Sequence, residues 1–155
     1  MPRLIHDKIE MSYLVKEYMR KDVPTIDSDA SALQASKLMV EKTAGHLIVL
    51  HNAKPAGIIT ERDLVSKLLA REKDPSKTKT SQLMSTPLIT VDPDASVEEA
   101  VRTMVRHKVR RLAVVRDGII YGMFTARDLA KNFNDYEDRV TKDIIKHMAT
   151  FSLPF

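Results

Sequence analysis

Two short segments carry the groups best suited to chemistry. Gly57-Ile58-Ile59-Thr60-Glu61-Arg62-Asp63 and Gly122-Met123-Phe124-Thr125-Ala126-Arg127-Asp128 share one form: Gly, two apolar residues, Thr, two variable residues, Asp. This pattern suits a strand running into a helix. The glycine lets a second backbone or a flat ring come close. The threonine hydroxyl and the free N–H groups of a helix start hold a phosphate, with the helix dipole behind them. An aspartate one turn further in accepts from two ribose hydroxyls, one at each oxygen. Thr-x-x-Asp is also a plain N-capping pattern. The two readings are compatible, since a cap satisfies one or two donors and leaves others for an anion.

The two segments lie 65 positions apart, and so does much else. Offset by 65, the chain falls on itself without a gap: Met19 on Met84, Thr25 on Thr90, Gly57 on Gly122. From position 19 to position 64, 16 of 46 pairs are identical, against roughly three expected at ordinary composition. A period of this length is one supersecondary unit that needs a twin to bury its apolar face. A site in one copy therefore has a counterpart in the other.

Each copy reads as helix, strand, helix, strand, strand, helix. Leu14 to Met19 and Thr80 to Met84 are short helical turns, followed by extended pieces at Val23 to Ile26 and Pro87 to Val91. Asp-x-Asp-Ala-Ser then appears at Asp27 to Ser31 and at Asp92 to Ser96, and the serines open capping-box patterns. Val97, Ala100, Val101, Met104 and Val105 follow helical spacing, as do Ala32, Ala35, Ser36, Met39 and Val40. Leu47 to Leu50 and Leu112 to Val115 are apolar runs of buried-strand type, each closed by a turn signal. The return strands are Ala56 to Ile59 and Ile119 to Phe124, and a helix starts at each motif threonine. Leu64, Val65, Leu68 and Leu69 are expected to form its buried stripe in the first copy, and Leu129, Ala130 and Phe133 in the second. The polar segment Arg71 to Lys79, with Pro75, is a linker. The expected division is a first repeat at 10–72, the linker at 73–79, a second repeat at 80–135 and a tail at 136–155. The tail carries an amphipathic patch (Val140, Ile144, Ile145, Met148) and an apolar end, Phe151 to Phe155.

The duplication, the Asp-x-Asp-Ala-Ser helix entry and the Gly-x-x-Thr-x-x-Asp ends resemble a tandem pair of CBS (cystathionine-β-synthase) domains, from about Leu14 to Asn134. The resemblance implies an α/β (α+β) fold of two β-α-β-β-α repeats, packed through their sheets as a pseudo-twofold module. It implies clefts between the repeats for AMP, ADP, ATP or S-adenosylmethionine. By the family pattern, Asp63 and Asp128 hold ribose, and Thr60, Arg62, Thr125 and Arg127 stand near phosphate. Pro24 and Ile89 touch the adenine face. Ala44-Gly45-His46 and Val109-Arg110-Arg111 line the cleft.

The copies differ in that lining. From Val101 to Arg116 the second copy has Arg102, Arg106, Lys108, Arg110, Arg111 and Arg116 with no acid before Asp117. The matching stretch Ser36 to His51 has Lys37 and Lys42 against Glu41. Unequal sites are expected, with the stronger phosphate end wherever Arg110 and Arg111 point. These arginines also suit a solvated helix end, where cations are favoured by a few tenths to about 1 kcal/mol.

Bulk properties set the outer limits. A chain of 155 residues buries roughly 68–70% of its unfolded surface, enough for a core without staples. It has no cysteine, so disulfides and thiolate metal sites are excluded. No apolar run approaches the roughly 18 residues of a membrane span, and Met1 to Glu10 is no secretory signal, so a cytoplasmic location is expected. A net charge of +4 permits anionic ligands without demanding nucleic acid. Aromatic residues make up 5%, few for a protein that stacks bases. His6, His46, His51, His107 and His147 form no metal spacing. No catalytic nucleophile, Walker loop or paired carboxylates can be named. The expected function is a non-enzymatic regulatory module that needs no cofactor, binds an adenine nucleotide (AMP, ADP or ATP), forms a homodimer and acts on another protein or a sister chain. The alternatives are a ligand-free dimerisation scaffold and nucleic-acid binding through the Arg102 to Arg116 face.

Overall fold

A computed structural model of the chain describes the backbone of residues 13–150 and the side chains of residues 13–147. The first repeat runs α1 (Val15–Tyr18), β1 (Thr25–Asp27), α2 (Ala32–Lys42), β2 (His46–His51) and β3 (Lys54–Thr60). It ends in α3, a single α-turn at Glu61–Asp63 that widens to π-helix over Leu64–Leu68 and tightens over Leu69–Arg71. The second repeat runs α4 (Thr80–Leu83), β4 (Thr90–Val91), α5 (Val97–His107), β5 (Arg111–Arg116), β6 (Ile119–Thr125) and α6 (Ala126–Lys131), followed by α7 (Phe133–Thr150). Each repeat forms a three-stranded mixed sheet, β1-β2-β3 and β4-β5-β6, with its first pair parallel and its second antiparallel.

The duplicated residues build duplicated local structure. Asp27 and Asp92 each accept from the N–H two residues on, both at 2.8 Å, which turns the chain into the next helix. Ser31 and Ser96 then cap α2 and α5, accepting from Gln34 N at 3.1 Å and Glu99 N at 3.0 Å.

The two sheets meet through Ile48, Ala113 and Met123, all buried, with Ile58 packed against them. Ile48 and Ala113 are equivalent positions, as are Ile58 and Met123, so this interface is the pseudo-twofold core. A further core lies under each sheet. Ile26, Met39, Leu47, Ile59 and Leu68 belong to the first, and Leu83 of α4 completes it. Val91, Met104, Leu112 and Phe124 belong to the second, completed by Tyr13 and by Val15 and Tyr18 of α1. The short opening helix of each repeat is therefore exchanged onto the other repeat's core.

Main-chain pairs hold the exchanged segments down. Arg20 N donates to Met123 O at 2.8 Å and Met123 N to Arg20 O at 2.9 Å. Ser85 N donates to Ile58 O at 2.8 Å and Ile58 N to Ser85 O at 3.1 Å. Gly57 and Gly122 leave room for this approach. A Cβ on Gly122 would lie 2.3 Å from Arg20 O, and one on Gly57 2.7 Å from Ser85 O. Of the two things a motif glycine could admit, it admits another backbone.

Two expectations about burial need correction. Leu64 and Leu68 are buried, but Val65 and Leu69 of the same expected stripe are 58% and 63% exposed. Val40 and Val105, at equivalent positions on α2 and α5, are 82% and 74% exposed, and Phe133 is 52% exposed. Ala130 is exposed too. Each of these helices packs one edge of its apolar face on its sheet and turns the other edge outward. The linker is not loose: Thr78 O accepts from Ala32 N at 2.7 Å and Pro75 O from Leu33 N at 3.0 Å, which ties it to the start of α2.

Helix α7 returns to the exchanged N-terminal segment. Tyr136 and Val140 pack on the second core. Tyr13 donates its hydroxyl hydrogen bond to Asp143 at 2.6 Å, and the Arg139 guanidinium lies over the Tyr13 and Tyr18 rings. Ile144 and Ile145 of the expected patch are exposed. The Met148 side chain, Phe151 to Phe155 and Met1 to Glu10 (with His6) lie outside the described residues. Among the described residues no helix is long and apolar enough to cross a membrane.

Candidate functional site

Each motif threonine ends a strand and caps the helix that follows. Asp63 N donates to Thr60 Oγ1 at 3.2 Å, and Asp63 Oδ2 accepts from Thr60 N at 2.9 Å and from Thr60 Oγ1 at 3.0 Å. In the second repeat Asp128 N donates to Thr125 Oγ1 at 3.0 Å, and Thr125 Oγ1 donates to Asp128 Oδ2 at 2.7 Å. The capping reading therefore holds at both ends. The next helical N–H is taken as well, with Glu61 N donating to Gly45 O at 3.0 Å and Ala126 N to Arg110 O at 2.9 Å. This leaves fewer free N–H groups for a phosphate than the motif alone suggested. It also fixes the segment before each β2-type strand against the motif, so Gly45 and Arg110 do stand beside the helix starts.

Both carboxylates are buried, Asp63 to 8% and Asp128 to 4% exposure. A buried carboxylate needs partners for its charge, and the two copies find different ones. Asp63 Oδ1 pairs with Lys67 Nζ at 2.9 Å, one turn along its own helix. Asp128 Oδ1 pairs with Arg20 Nε at 2.9 Å, which comes from the exchanged N-terminal segment. The position equivalent to Arg20 is Ser85, and that equivalent to Lys67 is Asn132, whose side-chain amide donates to Asp128 O at 2.8 Å.

Two more basic side chains share the surroundings of Asp128. Arg111 pairs directly with Thr125 across the β5–β6 ladder. His46, at the matching start of β2, pairs with Thr60. Burial holds the His46 titration below its usual value, and the charges of Arg111 and then Arg20 push it the same way, against a smaller opposing effect of Asp128. Residues from both repeats thus share one electrostatic environment: Arg20 and His46 with Arg111, Thr125 and Asp128.

The remaining expected residues fall as follows. Pro24 O accepts from Ile48 N and Ile89 O from Ala113 N, both at 3.1 Å, so the two hold equivalent, half-buried places, with Ile89 packed against the second core. Ala44 and Val109 are half-buried, with their N–H groups donating to Met39 O at 2.9 Å and Met104 O at 3.0 Å. Arg62, Arg110 and Arg127 are exposed. Reasoning from the motif missed Arg20 and Lys67. Lining up the repeats does place a cation at Arg20 opposite the neutral Ser85, and that was the available signal.

The basic stretch is partly neutralised. Arg102 pairs with Glu98 at 2.9 Å. Arg116 pairs with Asp92 at 2.6 Å and also with Asp94. Arg116, then Lys16, lowers the Asp94 carboxyl to about 2. Among the described residues no group of three or more His, Asp or Glu side chains could hold a metal.

Comparison with known proteins agrees with this architecture. The CBS domain model matches twice, at residues 15–70 and 81–135. An uncharacterized protein of Methanopyrus kandleri is 38% identical over 120 residues, covering 76% of this chain and 61% of that protein. The CBS domain-containing protein YhcV of Bacillus subtilis is 31% identical over 118 residues, covering 76% of this chain and 84% of that protein. Among solved structures, the hexameric CBS-CP12 protein from bloom-forming cyanobacteria superposes with a TM-score of 0.69 at 33% identity, over 76% of this chain and 69% of that one. The chain spans about three fifths of the Methanopyrus relative's length.

Proposed function

The chain belongs to the CBS-domain family, whose paired members are generally regulatory and ligand-binding, and from that premise we propose that it is a non-enzymatic sensor of adenine nucleotides. The ligand sits in clefts between the repeats, with AMP, ADP, ATP and S-adenosylmethionine as the candidate class. The observation that carries this reading is the doubled Thr–Asp pair with its buried carboxylate, each beside a segment contributed by the other repeat. A carboxylate that is buried and already oriented accepts the two hydroxyls of a ribose without further ordering cost. At Asp128 the same cleft brings in Arg20, His46 and Arg111, which suits phosphate oxygens. Thr60, Arg62 and Asp63 with Gly45 form the weaker counterpart. Pro24 and Ile89 stand where an adenine ring would lie, with Ala44, Val109 and Arg110 at the margins and Arg127 beside the Asp128 helix start.

Occupancy is passed to a sister chain or another protein. Outward-facing Val40 and Val105, at equivalent places on α2 and α5, are the apolar positions assigned to a homodimer contact. Nucleic-acid binding is the less supported reading, since two of the six cations of its face are committed to acids.

A thermal-shift panel with AMP, ADP, ATP, S-adenosylmethionine, and RNA and DNA oligomers tests the proposal. A ligand at 100 times its dissociation constant adds about 2.7 kcal/mol, or roughly 5–10 °C at this size. Asp128→Ala is expected to abolish the response and Asp63→Ala to leave it. The reverse pattern defeats the unequal-site reading. No shift with any adenosine compound leaves the scaffold reading in front, and a response to oligomers alone, lost in salt, favours nucleic acid.

A further inference from the structure

We infer that Arg20 makes the Asp128 cleft selective for adenosine ligands that carry phosphate and closes it to cationic ones such as S-adenosylmethionine. The inference rests on the nucleotide reading above and adds to it which members of the ligand class are accepted. Arg20 is fixed at both ends of its main-chain unit, donating to Met123 O at 2.8 Å and accepting from Met123 N at 2.9 Å. Its side chain is fixed at one corner only, by Nε on Asp128 Oδ1 at 2.9 Å. The side chain remains 58% exposed, and its two terminal nitrogens have no hydrogen-bond partner among the described residues. A guanidinium held this way is ordered before a ligand arrives and keeps its forked donors for one.

The surroundings set the sign of the charge that fits. Asp128 is the carboxylate of the cluster, and Arg20 already offsets it. Arg111, directly across the ladder from Thr125, has no ion pair among the described residues. His46 shares the environment of both arginines. The charges of two guanidinium groups, Arg20 and Arg111, thus stand against that of one carboxylate, and an arriving sulfonium meets net like charge. That is a repulsive element against the wrong ligand as well as an attractive one for the right one. The first repeat lacks the device. Ser85 stands where Arg20 does, and Lys67, the cation on Asp63, is also tied to Leu83 O at 3.0 Å.

Calorimetric titration of the full chain with AMP, adenosine and S-adenosylmethionine, in the wild type and in Arg20→Gln, tests this. The wild type is expected to bind AMP more tightly than adenosine, and adenosine more tightly than S-adenosylmethionine. Loss of a charge-assisted hydrogen bond predicts that Arg20→Gln weakens AMP about tenfold or more. Adenosine should bind the variant no more weakly than the wild type, because the freed Asp128 loses a competitor. An AMP-to-adenosine preference unchanged in the variant overturns the inference and leaves the nucleotide reading standing. So does a wild type that binds S-adenosylmethionine more tightly than AMP, a result that needs no variant to fold. A wild type that binds none of the three overturns both.

Discussion

Gly122→Ala probes the exchange of segments that brings Arg20 to Asp128. The added methyl would lie 2.3 Å from Arg20 O and 2.8 Å from Met19 Sδ. The sulfur sits on a flexible side chain and can move, but the carbonyl cannot move without lifting the segment. Lifting it breaks two main-chain hydrogen bonds, of 2.8 and 2.9 Å, at about 1 kcal/mol each. Overpacking adds about 1–3 kcal/mol. The expected loss is therefore about 3–5 kcal/mol, a large part of the roughly 5–15 kcal/mol that holds an ordinary domain folded. Gly45→Ala is the control. Its methyl would meet only the Glu61 carboxyl, at 3.6 Å, and should cost less than about 0.5 kcal/mol. Urea unfolding with linear extrapolation measures both. Gly57→Ala, 2.7 Å from Ser85 O, should also destabilise but spare binding at Asp128, whereas Gly122→Ala should weaken both. A Gly122→Ala variant as stable as Gly45→Ala would refute the clamped exchange.

Two further outcomes are expected. His46 is held below its usual value of 6.5 by burial, Arg111 and Arg20. Below that value the unfolded chain binds a proton that the folded chain does not, so stability falls as pH drops from about 6.5 towards the depressed folded value. His46→Gln removes this contribution, and urea midpoints at about pH 7.5 and 5.5 should converge relative to wild type; an equal acid loss in both proteins contradicts the assignment. Val105→Glu places a charge on a side chain already 74% exposed. Under the proposed homodimer, sedimentation should show a dimer for the wild type and a folded monomer for the variant, whereas a monomeric wild type argues against this face as the contact.

Much of this was legible because the chain states it twice. The 65-residue offset paired the strands, the serine caps and the threonine caps, since caps and alternating or continuous apolar runs are local physics. The exchange of α1 and α4 was not legible. A repeat period says that two units pack together, but not which unit's core a connecting helix completes. Gly57 and Gly122 held the hint, since glycine in a strand marks close approach, yet the sequence left backbone and ring equally open. Arg20 was missed for the same reason. Its charge reaches Asp128 only through the exchanged segment, 108 positions away. Burial on the helices was half readable. Helical spacing found Leu64 and Leu68 correctly, but periodicity cannot separate an apolar edge turned to the sheet from one turned outward, and Val65, Leu69, Val40 and Val105 face out.

A crystal structure of the chain grown with AMP bears most directly on the proposed nucleotide site. Density is expected with both ribose hydroxyls on the Asp128 carboxylate and the phosphate among Arg20, Arg111 and His46. AMP seated elsewhere, or a cleft left empty at saturating nucleotide with the Arg20–Asp128 pair intact, would contradict it.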